Sequence, residues 1–140
     1  MKALGSAVAA IAIALATGCT LRPSLIGASA TKGSDEVATV EVVVNSQDAA
    51  AIRDREIYFS IVVFDCASSQ PSFPVQPHVG ERLASSFSFP VTDEPTIFRG
   101  SMPQRVLANY SSPCVFLRGG SYFLGRIQSN PIPLELRSKE

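Results

Sequence analysis

The sequence predicts an all-β protein, a small antiparallel β-sandwich of about seven short strands. Three observations carry this reading. Runs of β-branched and aromatic residues recur at 36–45, 56–66, 83–91, 96–99 and 114–129. Several of them place an apolar residue at every second position, as half-buried strands do. Clusters of Gly, Pro, Ser and Asp separate the runs, and no stretch sustains a helical period.

The chain opens with a different kind of segment. Lys2 precedes an unbroken apolar run of ten residues, 7–16. A bilayer-crossing helix needs about 20 apolar residues, whereas the core of an export signal has roughly 7–15. Ala16-Thr17-Gly18-Cys19 then follows. This resembles the lipobox of bacterial lipoproteins: a small or aliphatic residue, a small residue, Gly or Ala, then Cys. Leu fits the first position best in that family; here it is Ala16, with Leu15 one place earlier. The resemblance implies cleavage before Cys19 and acylation of Cys19 on its sulfur and its amine. Several acyl chains anchor firmly, since one alone binds only marginally. It also implies a cell-envelope location, with Thr20 in place of Asp pointing to the outer membrane and the domain facing the periplasm. It covers the leader alone. The expected organisation is a signal peptide over 1–18, a lipidated N-terminus and flexible tether over 19–34, and a single β-sandwich domain over 35–140.

Each element follows from its residues. Residues 20–34 are rich in Gly, Ser, Ala and Thr and read as a tether reaching about 20 Å. In 36–45, Ala38, Val40, Val42 and Val44 form a fully apolar set that should face the core. Residues 45–55 read as a connection holding a single helical turn near Asp48. The run 56–66 is apolar on both faces apart from Ser60 and Asp65, which predicts a central, doubly covered strand. Prolines at 71, 74 and 77 give 67–82 an extended, rigid course along a sheet edge. Alternation over 83–91 predicts a half-buried strand, with Pro90 keeping it at an edge. Residues 96–99 and 104–108 read as further short strands. Gly119-Gly120 splits 114–129 into a two-residue hairpin, with Leu117 opposite Tyr122 and Val115 opposite Leu124. Residues 130–136 close the fold, with Pro131 and Pro133 blunting an edge.

Two cysteines remain beyond Cys19, and export exposes them to an oxidising compartment. Cys66 and Cys114 are therefore expected to pair, a closure contributing about 4 kcal/mol. A bridge from the central strand to the last hairpin resembles the way immunoglobulin domains pin their two sheets. The buried Trp of that family is missing, since the chain has none. Immunoglobulin-like or transthyretin-like topology is thus expected by analogy of architecture.

Charge and chemistry narrow the function. Twelve basic and twelve acidic side chains leave the chain near neutral, so no nucleic-acid partner is expected. No basic run supplies a second, electrostatic membrane signal. Two thiols with one histidine, His78, make a thin ligand set, so neither metal nor cofactor is expected. His78 lies in the Pro-rich segment without an activated Ser. The carboxylate pairs Asp35-Glu36 and Asp93-Glu94 are adjacent residues, which do not face one cleft. The chain is read as a non-enzyme. Arg99, Arg118 and Arg126 flank or interrupt aromatic strands, and with Tyr110 and Tyr122 they form a candidate binding surface. The expected role is an envelope-anchored lipoprotein with a non-enzymatic binding or accessory role in a cell-envelope assembly. Its partners would be the membrane, through Cys19, and a protein. The alternative is a periplasmic inhibitor or immunity protein that blocks an enzyme or toxin through an exposed loop, such as 70–80.

Overall fold

The computed structural model describes residues 20–121 and 125–138. In chain order the elements are β1 (Thr20–Leu21), β2 (Leu25–Lys32), β3 (Val37–Val44), α1 (Ser46–Asp54), β4 (Tyr58–Asp65), β5 (Phe73–Val75), β6 (His78–Val79), β7 (Arg82–Leu83), β8 (Thr96–Pro103), α2 (Gln104–Ala108), β9 (Pro113–Gly120), β10 (Arg126–Gln128), β11 (Ile132–Pro133) and β12 (Glu135–Ser138). They form an all-β sandwich. Sheet A has the order β1-β10-β9-β4-β5, with β11 also on β9, and sheet B the order β12-β2-β3-β8-β6-β7. The described residues thus hold twelve strands rather than about seven. The sheets are mixed rather than antiparallel, because β1 runs parallel to β10 and β12 parallel to β2.

Strand β3 behaves as its alternation requires. Ala38, Val40, Val42 and Val44 are all fully buried, facing Phe98 and Met102 of β8 and the inner residues of sheet A. Burying a side chain of this size stabilises by about 1.5–3 kcal/mol. The rings of Phe59 and Phe98 meet edge to face across the core at 5.1 Å, which aligns the start of β4 with the start of β8.

The tether does not exist as such. Residues 25–32 form β2, held between β3 and β12, and Thr20–Leu21 already pair with β10. Small residues occupy its inner positions: Ser29 and Ala30 are buried. Composition misled because Gly, Ser, Ala and Thr serve a close-packed strand as well as a coil.

Helix α1 is longer than a single turn. Asn45 caps it, its side chain accepting from the Asp48 N–H at 2.8 Å, and Asp48 lies in the first turn where the helix dipole favours an acid. Ala49 and Ile52 fix it to the core. Residues 104–108, expected as a strand, are the short helix α2; Gln104 donates its backbone N–H to the Glu36 carbonyl and turns the chain. The expected strand over 83–91 stops at Leu83. Ala84–Ser86 form a 3-10 turn, Ser86 Oγ donates back to the Leu83 carbonyl, and Phe87 takes a left-handed φ of 54°. Serine hydroxyls bonding locally outcompeted the ladder.

The glycine pair does not make the turn. β9 runs through Gly120, which pairs with Arg126, and Gly119 pairs with Ile127; Tyr122 and Leu124, the expected partners of Leu117 and Val115, lie outside the described residues. A Cβ on Gly119 would strike the Tyr58 carbonyl of the neighbouring strand. The glycine serves a close approach of backbones. The Pro-rich segment does cross at an edge: β5 lies on sheet A, β6 on sheet B, and the crossing passes so close over Gly100 that a Cβ there would meet Val75 and the Gln76 carbonyl. The closing strand also divides, β11 joining sheet A and β12 sheet B.

Cys66 and Cys114 are bonded, with Cα atoms 5.8 Å apart. The bridge does not pin sheet to sheet. β4 and β9 are hydrogen-bonded neighbours in sheet A, with Phe64 opposite Cys114, so the immunoglobulin comparison fails at this point. β4 is covered fully on its inner face only. Ile61 and Val63 are buried, Val62 and Phe64 half-buried, and Tyr58 exposed.

Candidate functional site

The register gives the sandwich two distinct ends about 25 Å apart, the length of an eight-residue strand. At one end of sheet A, Thr20, Arg126, Gly120 and Tyr58 lie in one row across four strands. At the other lie Asp65, the Cys66–Cys114 bridge, α2 and the β2–β3 turn.

The predicted surface residues do not form one surface. Arg118 and Arg126 do come together: Arg118 pairs in register with Gln128, two residues from Arg126 on the same face, and both arginines are exposed. Arg99 lies on sheet B and its Nε donates to Glu41 Oε1 at 2.8 Å. Tyr110 is buried and its hydroxyl donates to the Pro71 carbonyl. It is a structural strut rather than a contact residue. Tyr122 and Cys19, the residue expected to carry the lipid, lie outside the described residues.

Asp65 organises the far end. Its carboxylate accepts from Ser68 Oγ at 2.6 Å, from the backbone N–H groups of Ala67, Ser111 and Ser112 at 3.0, 3.1 and 2.9 Å, and from Ser111 Oγ. The Ser68 hydroxyl first, and then the three backbone donors, hold its pKa well below the usual carboxylate range, against burial, which acts upward. Tyr110 is pushed up by burial and by the nearby charge of Asp65. With every acceptor site taken, Asp65 is a bracket for two turns, not an acid or base. His78, half-buried on β6, sets Nδ1 3.2 Å from the Gln76 carbonyl.

Beside this bracket a cleft of about 830 Å³ opens, lined among others by Lys32, Asp35, Glu36, Met102, Gln104 and Arg105. Its wall is fixed. Gln104 Nε2 donates to the carbonyls of Gly33 and Val37, and Gly33 N–H donates to Val37 O at 3.0 Å, so the β2–β3 turn is clamped to the start of α2. Glu36 takes a φ of 63°. Lys32, Asp35, Glu36 and Arg105 are exposed, and none joins an ion pair among the described residues. The arrangement presents charges of both signs over an apolar floor, a surface suited to a polypeptide. Among the described residues no group of three or more His, Cys, Asp or Glu is arranged to hold a metal.

Sequence reasoning missed three of these features. Asp65 stood as an exception within an apolar run; the signal was Ser68 three residues on, the spacing of a carboxylate that caps its own turn. Gln104 carried no signal, since its acceptors lie 71 and 67 residues away. Tyr58 looked like core because its neighbours are apolar, yet it is 53% exposed.

Among known proteins, no family model matches the chain and no curated protein matches its sequence.

Proposed function

We propose that this chain is an envelope-anchored lipoprotein with a non-enzymatic binding role in a cell-envelope assembly, held at Cys19 and offering its far end to a protein partner. One observation carries the reading. The cleft between the β2–β3 turn and α2 is walled by the Gln104 clamp, carries four exposed charges that join no ion pair among the described residues, and lies at the end of the sandwich opposite Thr20. An anchored domain keeps that end free for a second protein. Complementary charge across such a rim sets partner choice and encounter rate.

The inhibitor or immunity reading has less support. Its loop, 70–80, contributes β5 and β6 to the two sheets and receives the Tyr110 hydroxyl, so it does not protrude as an inserting loop would.

The test is a comparative pull-down from solubilised envelopes with the native protein and an Asp35→Lys/Arg105→Glu variant. The assembly reading expects several envelope proteins with the native bait and their loss with the variant. One stoichiometric soluble enzyme would favour the inhibitor reading. A set of partners unchanged by the variant would remove the cleft from the account.

A further inference from the structure

Thr20 is the first residue of β1 and pairs with Arg126, one peptide unit after Cys19. Consecutive Cα atoms are about 3.8 Å apart, so no spacer separates the anchor residue from the sandwich. The row that starts at Thr20 continues through Arg126 and Gly120 to Tyr58. Three strand spacings of about 4.8 Å carry it roughly 14 Å from the anchor.

The chemistry of this end is one-sided. The strands of sheet A hold three charged residues: Asp65, buried at the far end, and Arg118 and Arg126, both exposed. Neither arginine joins an ion pair or donates a side-chain hydrogen bond among the described residues. Arg22, directly after β1, is exposed and equally without an ion pair. The carboxylates that precede Tyr58 do not offset them: Asp48 accepts from the Ser24 N–H and the Asn45 side chain, Asp54 is paired with Arg53, and Glu56 follows Arg55. Tyr58 exposes more than half its surface, and its ring and that of Phe87 meet edge to face, centroids 5.0 Å apart. A ring with an apolar body and a polar tip fits the headgroup layer of a bilayer. Sheet B is different: its central arginine, Arg99, is already spent on Glu41.

We propose that the domain seats directly on a bilayer surface bearing anionic headgroups, through the Thr20 end of sheet A, with Tyr58, Arg118 and Arg126 making the contact. This rests on reading Cys19 as the lipid-attachment residue. The lipid chains supply the anchor, and the two arginines and the tyrosine fix the orientation, leaving the cleft turned away from the membrane. Each arginine near an anionic surface shifts the ratio of seated to lifted molecules by about fivefold.

The chain contains no tryptophan, so a single one reports cleanly. The native lipidated protein is reconstituted into phosphatidylcholine vesicles with and without phosphatidylglycerol, carrying a nitroxide at headgroup depth. Tyr58→Trp and Ala108→Trp report the two ends, and mass analysis of the Cys19 peptide reports acylation. The expected result is strong quenching at position 58 and little at position 108, stronger with phosphatidylglycerol. Arg118→Glu/Arg126→Glu should reduce the quenching at 58 several-fold, and Arg99→Glu should leave it unchanged; circular dichroism confirms that each variant folds. Weak, equal quenching at both positions in an acylated protein would overturn the seat and leave the anchor standing. Quenching at 58 that ignores the arginines would also overturn it. Quenching found only in native envelopes would assign this face to a protein and overturn the lipid seat. An unacylated Cys19 would overturn both the seat and the anchor.

Discussion

The two ends of this sandwich are held in different ways. The far end is cross-linked: a disulfide joins β4 to β9, Asp65 gathers donors from two turns, and Gln104 clamps the β2–β3 turn to α2. Among the described residues the Thr20 end of sheet A has no disulfide and no carboxylate bracket of this kind. It is closed by packing and by α1 under its Asn45 cap, and its arginines have no ion-pair partner among the described residues. An end that satisfies its polar groups internally keeps a fixed shape for a partner to read. An end that leaves them unsatisfied has them available for an external surface.

The comparison can be broken by removing the brackets. Replacing both Cys66 and Cys114 by Ala should cost the most, about 4 kcal/mol for a loop of this length, read as a lower urea midpoint. A loss well under half of that would mean the remaining polar network holds the far end alone.

Next should come Asp65. Its folded-state pKa lies below the usual 3.8, so its contribution is fully present above that value and is lost as pH falls below it. Stability should therefore drop steeply below pH 3.8 in the native protein. Asp65→Asn should be less stable at neutral pH, because an amide replaces an acceptor among donors, and its acid limb should be flatter. Parallel acid limbs in the two proteins would remove Asp65 from its bracketing role.

At the other end, Asn45→Ala deletes the cap of α1 and should cost about 1 kcal/mol, measured by the same urea titration. The smallest effect belongs to sheet B. Arg99 and Glu41 form an exposed pair, worth about 0.2–1 kcal/mol, so Arg99→Ala should shift the midpoint least, and less still in high salt.

What the sequence made legible was what local periodicity encodes. The inward set of β3 and the disulfide partners could be read directly, because strict alternation, and two cysteines in a chain expected to be exported, each leave one simple answer. The edge crossing by Pro71, Pro74 and Pro77 was readable for a similar reason. Features that depend on distant neighbours were not. Gly119 looks like a turn residue until Tyr58 is seen to pass against it. The small residues of β2 look like coil until β3 and β12 flank them. The candidate surface divides the same way: of the four described residues among the five proposed, Arg118 and Arg126 share a face because β9 and β10 are consecutive antiparallel strands, whereas distant strands decide that Arg99 lies on the other sheet and that Tyr110 is buried.

Hydrogen exchange at the backbone amides of residues 27–32 tests the central claim, that the chain enters the sandwich at once after Cys19. These amides belong to β2, flanked by β3 and β12. They should be protected to the level of β3, exchanging only through large-scale opening. Exchange at the rate of unstructured chain would restore a flexible tether and contradict the account.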